Sequence, residues 1–210
     1  MKASRTVSSG KPPASAAGAN RLRIIGGQWR GTRLNFPEHT AIRPTPDRVR
    51  ETLFNWLQHE IAGTRCLDLF AGSGALGLEA LSRGAHSAVL VDREPPIGRY
   101  LRETLVRLKC TSAEVHTLDS LGYLQQIRQP FDIVFLDPPF AAAESGDLLP
   151  RLLQQLEVPG RLNPVTWVYL ECPASLGSPA TWAYWPGHWH LHRSEQAGQV
   201  GYHLARRNAA

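Results

Sequence analysis

The chain has 210 residues, of which 42% are hydrophobic and 20% charged, so it carries enough apolar sequence for a folded core and is not disordered throughout. Its net charge of +5 is uneven, since residues 1–50 hold ten Lys and Arg against two acidic residues, which indicates a polyanionic partner or a solvated tail. A run of about 18 apolar residues is absent, as is an apolar leader, so we expect neither a transmembrane helix nor a signal peptide.

The N-terminal region divides into two parts of different composition. Residues 1–20 are small, polar and basic and are predicted to form a disordered basic tail. Residues 21–36 predict two short strands around a pair of glycines, with arginines interleaved among apolar residues. Cations beside an aromatic such as Trp29 are typical of a nucleic-acid-binding arm, which we assign to residues 21–45. A small hairpin that only covers the core fits the same pattern.

Residues 46–206 alternate strand and helix patterns and are assigned to one domain. Thr45 is a predicted N-cap of a first helix that ends at Gly63, and Pro46 and Asp47 suit its first turn. Strands are then predicted at 65–70, 87–92, 113–117, 131–137 and 165–171, helices at 75–82, 96–108, 120–128 and 147–157, and an antiparallel hairpin at 188–193 and 199–206. This alternation predicts an α/β fold with a doubly wound, mostly parallel sheet.

A glycine-rich loop follows the first strand of this domain. Gly72, Gly74 and Gly77 fit the GxGxxG pattern at a strand–turn–helix junction, and Asp92 ends the next strand. Glycines let a ligand approach the backbone, and an acid at the second strand end accepts from ribose hydroxyls, so the pattern indicates a dinucleotide or S-adenosylmethionine. Asp68 favours S-adenosylmethionine, because a carboxylate attracts its ammonium and sulfonium but repels a pyrophosphate.

The segment Asp137-Pro138-Pro139-Phe140 follows a buried strand and forms a second predicted site. Prolines fix φ and lack an N–H, so they form a rigid turn in which Asp137 and the Pro138 carbonyl are adjacent acceptors. Two acceptors on an exocyclic amine favour a pyramidal nitrogen and stabilise the positive charge that develops as a methyl group arrives. Phe140 is placed to stack on the base. The segment therefore predicts methylation of a base amine without a metal or a covalent enzyme intermediate.

Both sites resemble the Rossmann-fold amino-methyltransferases, through Asp68-x-Phe70-x-Gly72-x-Gly74 and residues 137–140. Four segments resemble, more narrowly, the RsmD family of bacterial 16S ribosomal RNA guanine-N2 methyltransferases, namely residues 23–31, 43–55, 72–84 and 197–200. The resemblance covers about residues 21–206. The sequence departs from the family pattern at Arg93-Glu-Pro-Pro96 and at Thr104.

The resemblance implies a Rossmann-like class I methyltransferase fold with a seven-stranded sheet, S-adenosylmethionine as donor with S-adenosylhomocysteine as product, and the N2 amine of guanine 966 in 16S rRNA as target. It implies a donor site formed by Thr45, Asp68, Phe70, Gly72, Gly74, Asp92, Arg93, Asp119, Ser120 and Asp137. It implies a target-base site formed by Asp137, Pro138, Pro139 and Phe140. It implies RNA contacts by Arg21, Arg23, Trp29, Arg30, Arg33, Arg43 and Arg48. We expect a monomeric cytoplasmic enzyme that acts on the assembled or assembling small ribosomal subunit, with no metal and no membrane partner.

Other interpretations of the same residues stay open. The amine chemistry also fits adenine N6 or cytosine N4 of DNA, although 210 residues leave little room for a separate target-recognition domain. The glycine loop by itself also fits a nicotinamide-dependent oxidoreductase, and a non-catalytic ribosome-binding factor would need the basic arm but not the donor site. These alternatives differ in what they bind and in whether they transfer a group.

Some residues have a structural interpretation beside the functional one. Asp119 suits a helix N-cap as well as an adenine contact. Glu171 is either an acid behind the site or a solvated side chain. One predicted strand face carries three histidines that we interpret as exposed rather than metal-binding: His188, His190 and His192. The cysteines are odd in number and widely spaced, which argues against a disulfide framework and a zinc cluster: Cys66, Cys110 and Cys172.

Overall fold

The structure is a computed structural model that describes residues 21–37 and 45–208. Its strands are β1 (Arg21–Arg23), β2 (Arg33–Asn35), β3 (Arg65–Asp68), β4 (Ser87–Asp92), β5 (Ala113–Thr117), β6 (Phe131–Leu136), β7 (Leu162–Pro173), β8 (Trp189–Ala197) and β9 (Val200–Asn208). Its α-helices are α1 (Asp47–Trp56), α2 (Gly77–Ser82), α3 (Pro95–Arg107), α4 (Ser120–Leu124), α5 (Phe140–Glu144) and α6 (Leu148–Leu156). Strands β3 to β9 form a seven-stranded sheet in the order β5-β4-β3-β6-β7-β9-β8, and β1 pairs with β2 in a separate hairpin.

Helices cover both faces of the large sheet because its central strands are apolar on both sides. Nearly every side chain of β3, β4 and β6 is buried, which is the pattern of parallel strands between two helical layers. One hydrophobic cluster joins the sheet to α1, α2 and α3, and a second joins it to α4, α5 and α6. The predicted α/β fold with a mostly parallel sheet is confirmed. No helix among the described residues is long and apolar enough to cross a membrane.

The parallel strands of the sheet all end at one edge. The order of strands reverses between β3 and β6, because β4 and β5 extend the sheet on one side and β6 and β7 on the other. Ligands of open α/β sheets bind in the crevice outside the carboxyl ends of the strands at such a reversal. The topology therefore places a site where β3 and β6 end, and both motifs of the sequence analysis begin there.

The N-terminal hairpin is part of the core rather than an appendage. Alternation along β1 and β2 turns the arginines outward and the apolar residues inward. Gly27 has φ +73°, and a Cβ at this residue would lie 1.6 Å from the Ser82 carbonyl oxygen, so only glycine fits there. The side chains that the hairpin and its flanks bury in the core are Leu22, Ile24, Leu34 and Phe36.

A buried ion pair fastens the hairpin to α1 and α2. Glu79, in α2, accepts hydrogen bonds from the backbone N–H of Ile25 at 2.8 Å and of Gly26 at 2.7 Å. Arg50, in α1, is fully buried; its Nη1 lies 3.4 Å from a Glu79 oxygen, and its Nη2 donates to the Arg23 carbonyl at 2.9 Å. Hairpin and domain are thus joined by buried polar contacts as well as by apolar packing.

The first helix differs from its prediction at both ends. It ends at Trp56 rather than at Gly63. The chain then continues in turns, which still place Ile61 in the core. The apolar spacing that predicted a longer helix therefore continues beyond the end of the helix. The predicted N-cap Thr45 was wrong: Pro46 occupies the cap position without a side-chain hydrogen bond. The Thr45 hydroxyl is used elsewhere, in the site described below.

Further boundaries differ from the predictions, among them the strand predicted over 188–193, which spans Trp189–Ala197, and one helix was not predicted. The helix predicted over 120–128 ends at Leu124, where the chain enters a turn. The strand predicted over 165–171 extends to the full length of β7, and α5 was not predicted. The predicted tail, residues 1–20, lies outside the described residues, as does part of the predicted arm, residues 38–44.

Candidate active site

A cleft of about 940 Å³ opens at the sheet edge identified above. It is bounded by the segments that follow β3, β4, β5 and β6, by the chain just before α1 and by the end of β7. The predicted donor and target-base residues that line it are Thr45, Asp68, Phe70, Gly72, Asp92, Arg93, Asp119, Ser120, Asp137, Pro138, Pro139 and Phe140. Gly74 does not line the cleft: a Cβ there would lie 2.6 Å from the Leu78 side chain, so this glycine lets the loop pack against α2.

The glycine loop is shaped by two carboxylates. Gly72 has φ +50°, and its N–H donates to Asp92 Oδ2 at 2.9 Å. The Gly77 N–H, at the start of α2, donates to Asp68 Oδ2 at 3.0 Å. A Cβ at Gly77 would lie 2.1 Å from the Leu90 side chain, so α2 can approach the sheet only with glycine at this position. The loop backbone is therefore held close to the strand ends.

Asp68 is a buried acid with one oxygen free to bind a ligand. Its side chain is 1% exposed, and burial, only partly offset by hydrogen bonds from the Gly77 and Phe70 backbone, raises the pKa of its carboxyl to about 7. Asp68 Oδ1 has no hydrogen-bond partner among the described residues. A buried acceptor without a donor is costly, and a ligand ammonium at this position would supply one. The residues present therefore fit the amino-acid end of S-adenosylmethionine.

Asp92 is also preorganised, by backbone donors on both oxygens. Besides Gly72, the Glu94 N–H donates to its Oδ1 at 2.9 Å, and burial raises the pKa of the Asp92 carboxyl above its usual range. The two prolines that depart from the family pattern, Pro95 and Pro96, lie in the first turn of α3, where a missing N–H has no intrahelical acceptor. The loop beside Asp92 accommodates them without interrupting the helix.

Asp119 is a helix cap that also lines the cleft. Its Oδ1 accepts from the Gly122 N–H at 2.9 Å, which confirms the capping alternative of the sequence analysis. The adenine contact stays a prediction. Arg93 is exposed and forms an ion pair with Glu94 at 3.3 Å at the rim of the cleft.

The Asp137–Phe140 turn follows β6, the strand next to β3, and lines the same cleft. Pro139 occupies the N-cap position of α5, and Phe140 is its first residue. The Thr45 Oγ1 donates to Asp137 Oδ2 at 3.3 Å, which is the role that replaces the predicted helix cap. Burial, followed by the neighbouring charges of Glu171 and Asp68, raises the pKa of the Asp137 carboxyl well above its usual range. Asp68 and Asp137 thus line one cavity.

Glu171 is a site residue whose role the sequence left open. It lies near the end of β7, is 3% exposed and lines the cleft, so the solvated alternative was wrong. Tyr169 Oη donates to Glu171 Oε1 at 2.8 Å, and burial raises the pKa of the Glu171 carboxyl. Glu171 stands between two apolar residues near the end of a buried strand. An acid in that position was the sequence signal for a residue of the site.

The arginines predicted to contact RNA lie on the outer face of the hairpin and on α1. Arg23 and Arg33 form a cross-strand pair on that face. Trp29 is half-buried and packs against the core, so it is not a freely exposed stacking platform. The remaining predicted contacts that are described are all exposed: Arg21, Arg30 and Arg48. Arg43 lies outside the described residues.

The histidine face has no metal-binding geometry. His188 Nε2 lies 2.8 Å from Glu157 Oε2, and the His192 ring packs edge-on against Trp167. Among residues 21–37 and 45–208, no group of three or more His, Cys, Asp or Glu side chains is arranged to hold a metal ion. Cys66, on β3, is fully buried and its thiol pKa is raised by burial to about 12, which suits packing.

Known proteins share both the sequence and the fold. The family described as conserved hypothetical protein 95 matches residues 22–206. The chain is 45% identical over 193 residues to the ribosomal RNA small subunit methyltransferase D of Escherichia coli strain K12, across 92% of this chain and 93% of that protein. It is 41% identical over 187 residues to the protein of the same name from Haemophilus influenzae, across 87% and 92%.

Solved structures agree with this likeness. The Escherichia coli protein yhhF superposes with a TM-score of 0.80 at 44% identity, covering 90% of this chain and 99% of that one. A protein of Haemophilus influenzae superposes with a TM-score of 0.71 at 36% identity, with the same coverage. With a family match over residues 22–206 and this identity along almost the whole of both chains, the protein belongs to the RsmD family of ribosomal RNA small subunit methyltransferases.

Proposed function

We propose that the protein transfers a methyl group from S-adenosylmethionine to the exocyclic N2 amine of guanine 966 in 16S rRNA. The observation that carries the proposal is one cleft that contains both Asp68, with an unsatisfied buried oxygen, and the rigid Asp137–Phe140 turn. The Escherichia coli relative, named as a small-subunit rRNA methyltransferase, supports rRNA as the substrate class.

The residues at the donor end of the cleft bind and orient S-adenosylmethionine. S-adenosylmethionine supplies an electrophilic methyl group when bound and leaves as S-adenosylhomocysteine. Asp68 accepts from the donor's ammonium, while Asp92, held by two backbone N–H groups, accepts from the ribose hydroxyls. Phe70, Asp119 and Ser120 bound the remaining space of the cleft, where the adenine would lie.

The target end positions the amine. Asp137 Oδ and the Pro138 carbonyl accept from the two N2 hydrogens and favour a pyramidal nitrogen, so that its lone pair points at the methyl group. Transfer would form the N–C bond as the donor's C–S bond breaks, and the carboxyl of Asp137 or water would take the N2 proton that is released. Phe140, at the mouth of the turn, stacks on the base.

The RNA is held by the hairpin face and by α1. Arginine side chains there are exposed and carry the excess positive charge of the N-terminal region, which suits phosphate contacts. We propose that a monomer of the enzyme engages the assembled or assembling small subunit through this face and draws guanine 966 into the cleft.

The test measures the product and separates chemistry from binding. Labelled S-adenosylmethionine is incubated with 16S RNA, with small subunits lacking the modification and with duplex DNA, and the modified nucleoside is identified by mass spectrometry. We expect N2-methylguanosine from the ribosomal substrate. Asp137→Ala should reduce turnover by at least about 100-fold while donor affinity changes less than about threefold. The matched control Asp147→Ala, at an exposed position before α6, should keep full activity. A methylated DNA base, or an active Asp137→Ala protein, would contradict the proposal.

A further inference from the structure

Glu171 stands beside Asp137 because of the sheet register. In the parallel pair of β6 and β7, Leu136 lies opposite Leu170, so the next residues, Asp137 and Glu171, continue the same row. Neighbouring strands lie about 4.8 Å apart, and residues in one row point to the same face. The two carboxyl groups are therefore adjacent at the target end of the cleft, which both residues line.

The hydrogen bonds of these acids confirm their proximity. The Thr45 hydroxyl lies 3.3 Å from Asp137 Oδ2 and is also within hydrogen-bonding reach of the Glu171 carboxyl. One hydroxyl has one proton, so it cannot satisfy both carboxylates at once. Tyr169 Oη donates to Glu171 Oε1 at 2.8 Å, and Glu171 is only 3% exposed. Each carboxyl group therefore keeps oxygen lone pairs that can accept a hydrogen bond from a ligand in the cleft.

Two neighbouring acceptors select among the bases by simple chemistry. On its Watson–Crick edge guanine presents two adjacent donors, N1–H and the N2 amine. Adenine, cytosine and uracil each place an acceptor next to their donor, so one of two carboxylates would face a lone pair. When both carboxyl groups are ionised, a site built from two adjacent acceptors therefore fits guanine and opposes the other bases.

We infer that Glu171 is a specificity-determining residue that accepts a hydrogen bond from guanine N1–H while Asp137 accepts from the N2 amine. The inference rests on the proposed function, because it assumes that the amine of the target base reaches Asp137. It adds a reason why the enzyme selects guanine, which the Asp-Pro-Pro-Phe segment alone does not provide. Tyr169 fixes the orientation of the Glu171 carboxyl.

The test replaces the target guanine with 2-aminopurine, which keeps the amine but has a lone pair in place of N1–H. Small subunits are reconstituted with 16S RNA carrying either base at the target position, and methyl transfer is measured for each. We expect the wild-type enzyme to act on guanine at least about 100-fold faster. Glu171→Gln should reduce this ratio by at least about tenfold, because the glutamine amide can donate to the N1 lone pair of 2-aminopurine. The loss of O6 is common to both enzymes and cancels in the comparison.

Two controls keep the result interpretable. Glu103→Gln, at an exposed position of α3, should leave the ratio unchanged. Donor binding by Glu171→Gln, measured by calorimetry, should stay within about threefold of wild type and shows that the variant is folded.

Three outcomes would overturn the inference. One is a wild-type enzyme that methylates both bases equally, a result that does not depend on any variant folding. A second is a Glu171→Gln enzyme that slows on both substrates by the same factor, since a residue that only positions Asp137 would behave in this way. If the wild-type enzyme does not methylate guanine N2 at all, the proposed function fails, and the inference fails with it.

Discussion

Binding of the methyl donor should strengthen as the pH rises through neutrality, because Asp68 must be ionised to hold an ammonium group. Burial raises the pKa of the Asp68 carboxyl to about 7, so the neutral form predominates below that pH in the donor-free protein. The ionised fraction is about 90% at pH 8 and about 10% at pH 6. Because an α-amino group is itself only about half protonated at pH 8, the dissociation constant for S-adenosylmethionine should be about fivefold larger at pH 6 than at pH 8.

Calorimetric titration of the donor across this pH range measures the effect directly. Asp68→Asn should bind S-adenosylmethionine more weakly and lose the pH dependence that Asp68 causes, because an amide does not ionise. The amide oxygen can still accept from the Gly77 N–H, but the NH₂ group then faces the ammonium of the donor. Asp147→Asn, at an exposed acid, should keep the wild-type slope. A wild-type affinity that is constant between pH 6 and pH 8 would refute this account of Asp68.

Two further changes test the attachment and the role of the hairpin. Glu79→Gln should lower the free energy of unfolding by about 2 kcal/mol, since it removes one of the two counter-charges of Arg50, leaving Asp47, and an acceptor of backbone donors. Exposed Asp147→Asn should change it by less than about 0.5 kcal/mol. Urea denaturation gives both values, and equal values for the two variants would contradict the proposed attachment. Replacing Arg23 and Arg33 with Gln should weaken RNA binding and reduce its salt slope by about 1.4, or about 0.7 per lost contact with single-stranded RNA. An unchanged slope in a salt series would leave the hairpin with a structural role only.

The parts of the fold that could be predicted depend on local signals. Apolar runs bounded by helical periods revealed the parallel sheet, and the glycine loop and the Asp-Pro-Pro-Phe segment revealed its ligand-binding edge because each motif is contiguous in sequence. The predicted ends of helices and strands were less accurate where residues beyond the end of an element still pack in the core and so extend its apolar spacing. Ile61 illustrates this, since it keeps helical spacing in a segment that has already left the helix.

The parts that could not be predicted depend on pairings between distant segments. Thr45 is a good helix cap by local rules, but the fold brings its hydroxyl to Asp137, 92 residues away. Glu79 and Arg50 resemble solvated helix residues until the hairpin covers them. Glu171 lies beside Asp137 because of the register between β6 and β7, which the sequence does not show. Tertiary contacts assigned these roles, and the local sequence does not show which distant residues are the partners.

The buried side of the hairpin means that the proposed RNA-binding face is not a detachable module in this protein. Its four core side chains, Leu22, Ile24, Leu34 and Phe36, are each at most 4% exposed. Burying each contributes about 1.5–3 kcal/mol, so removing the hairpin would forfeit about 6–12 kcal/mol, as much as the whole stability of a typical domain. A shortened chain that begins at α1 should therefore fail to fold rather than become an enzyme without RNA affinity. If a hairpin were exchanged between relatives, the surfaces of α1 and α2 that pack against it would have to be exchanged as well. Substitutions on the exposed face of the hairpin are therefore a simpler way to change RNA specificity.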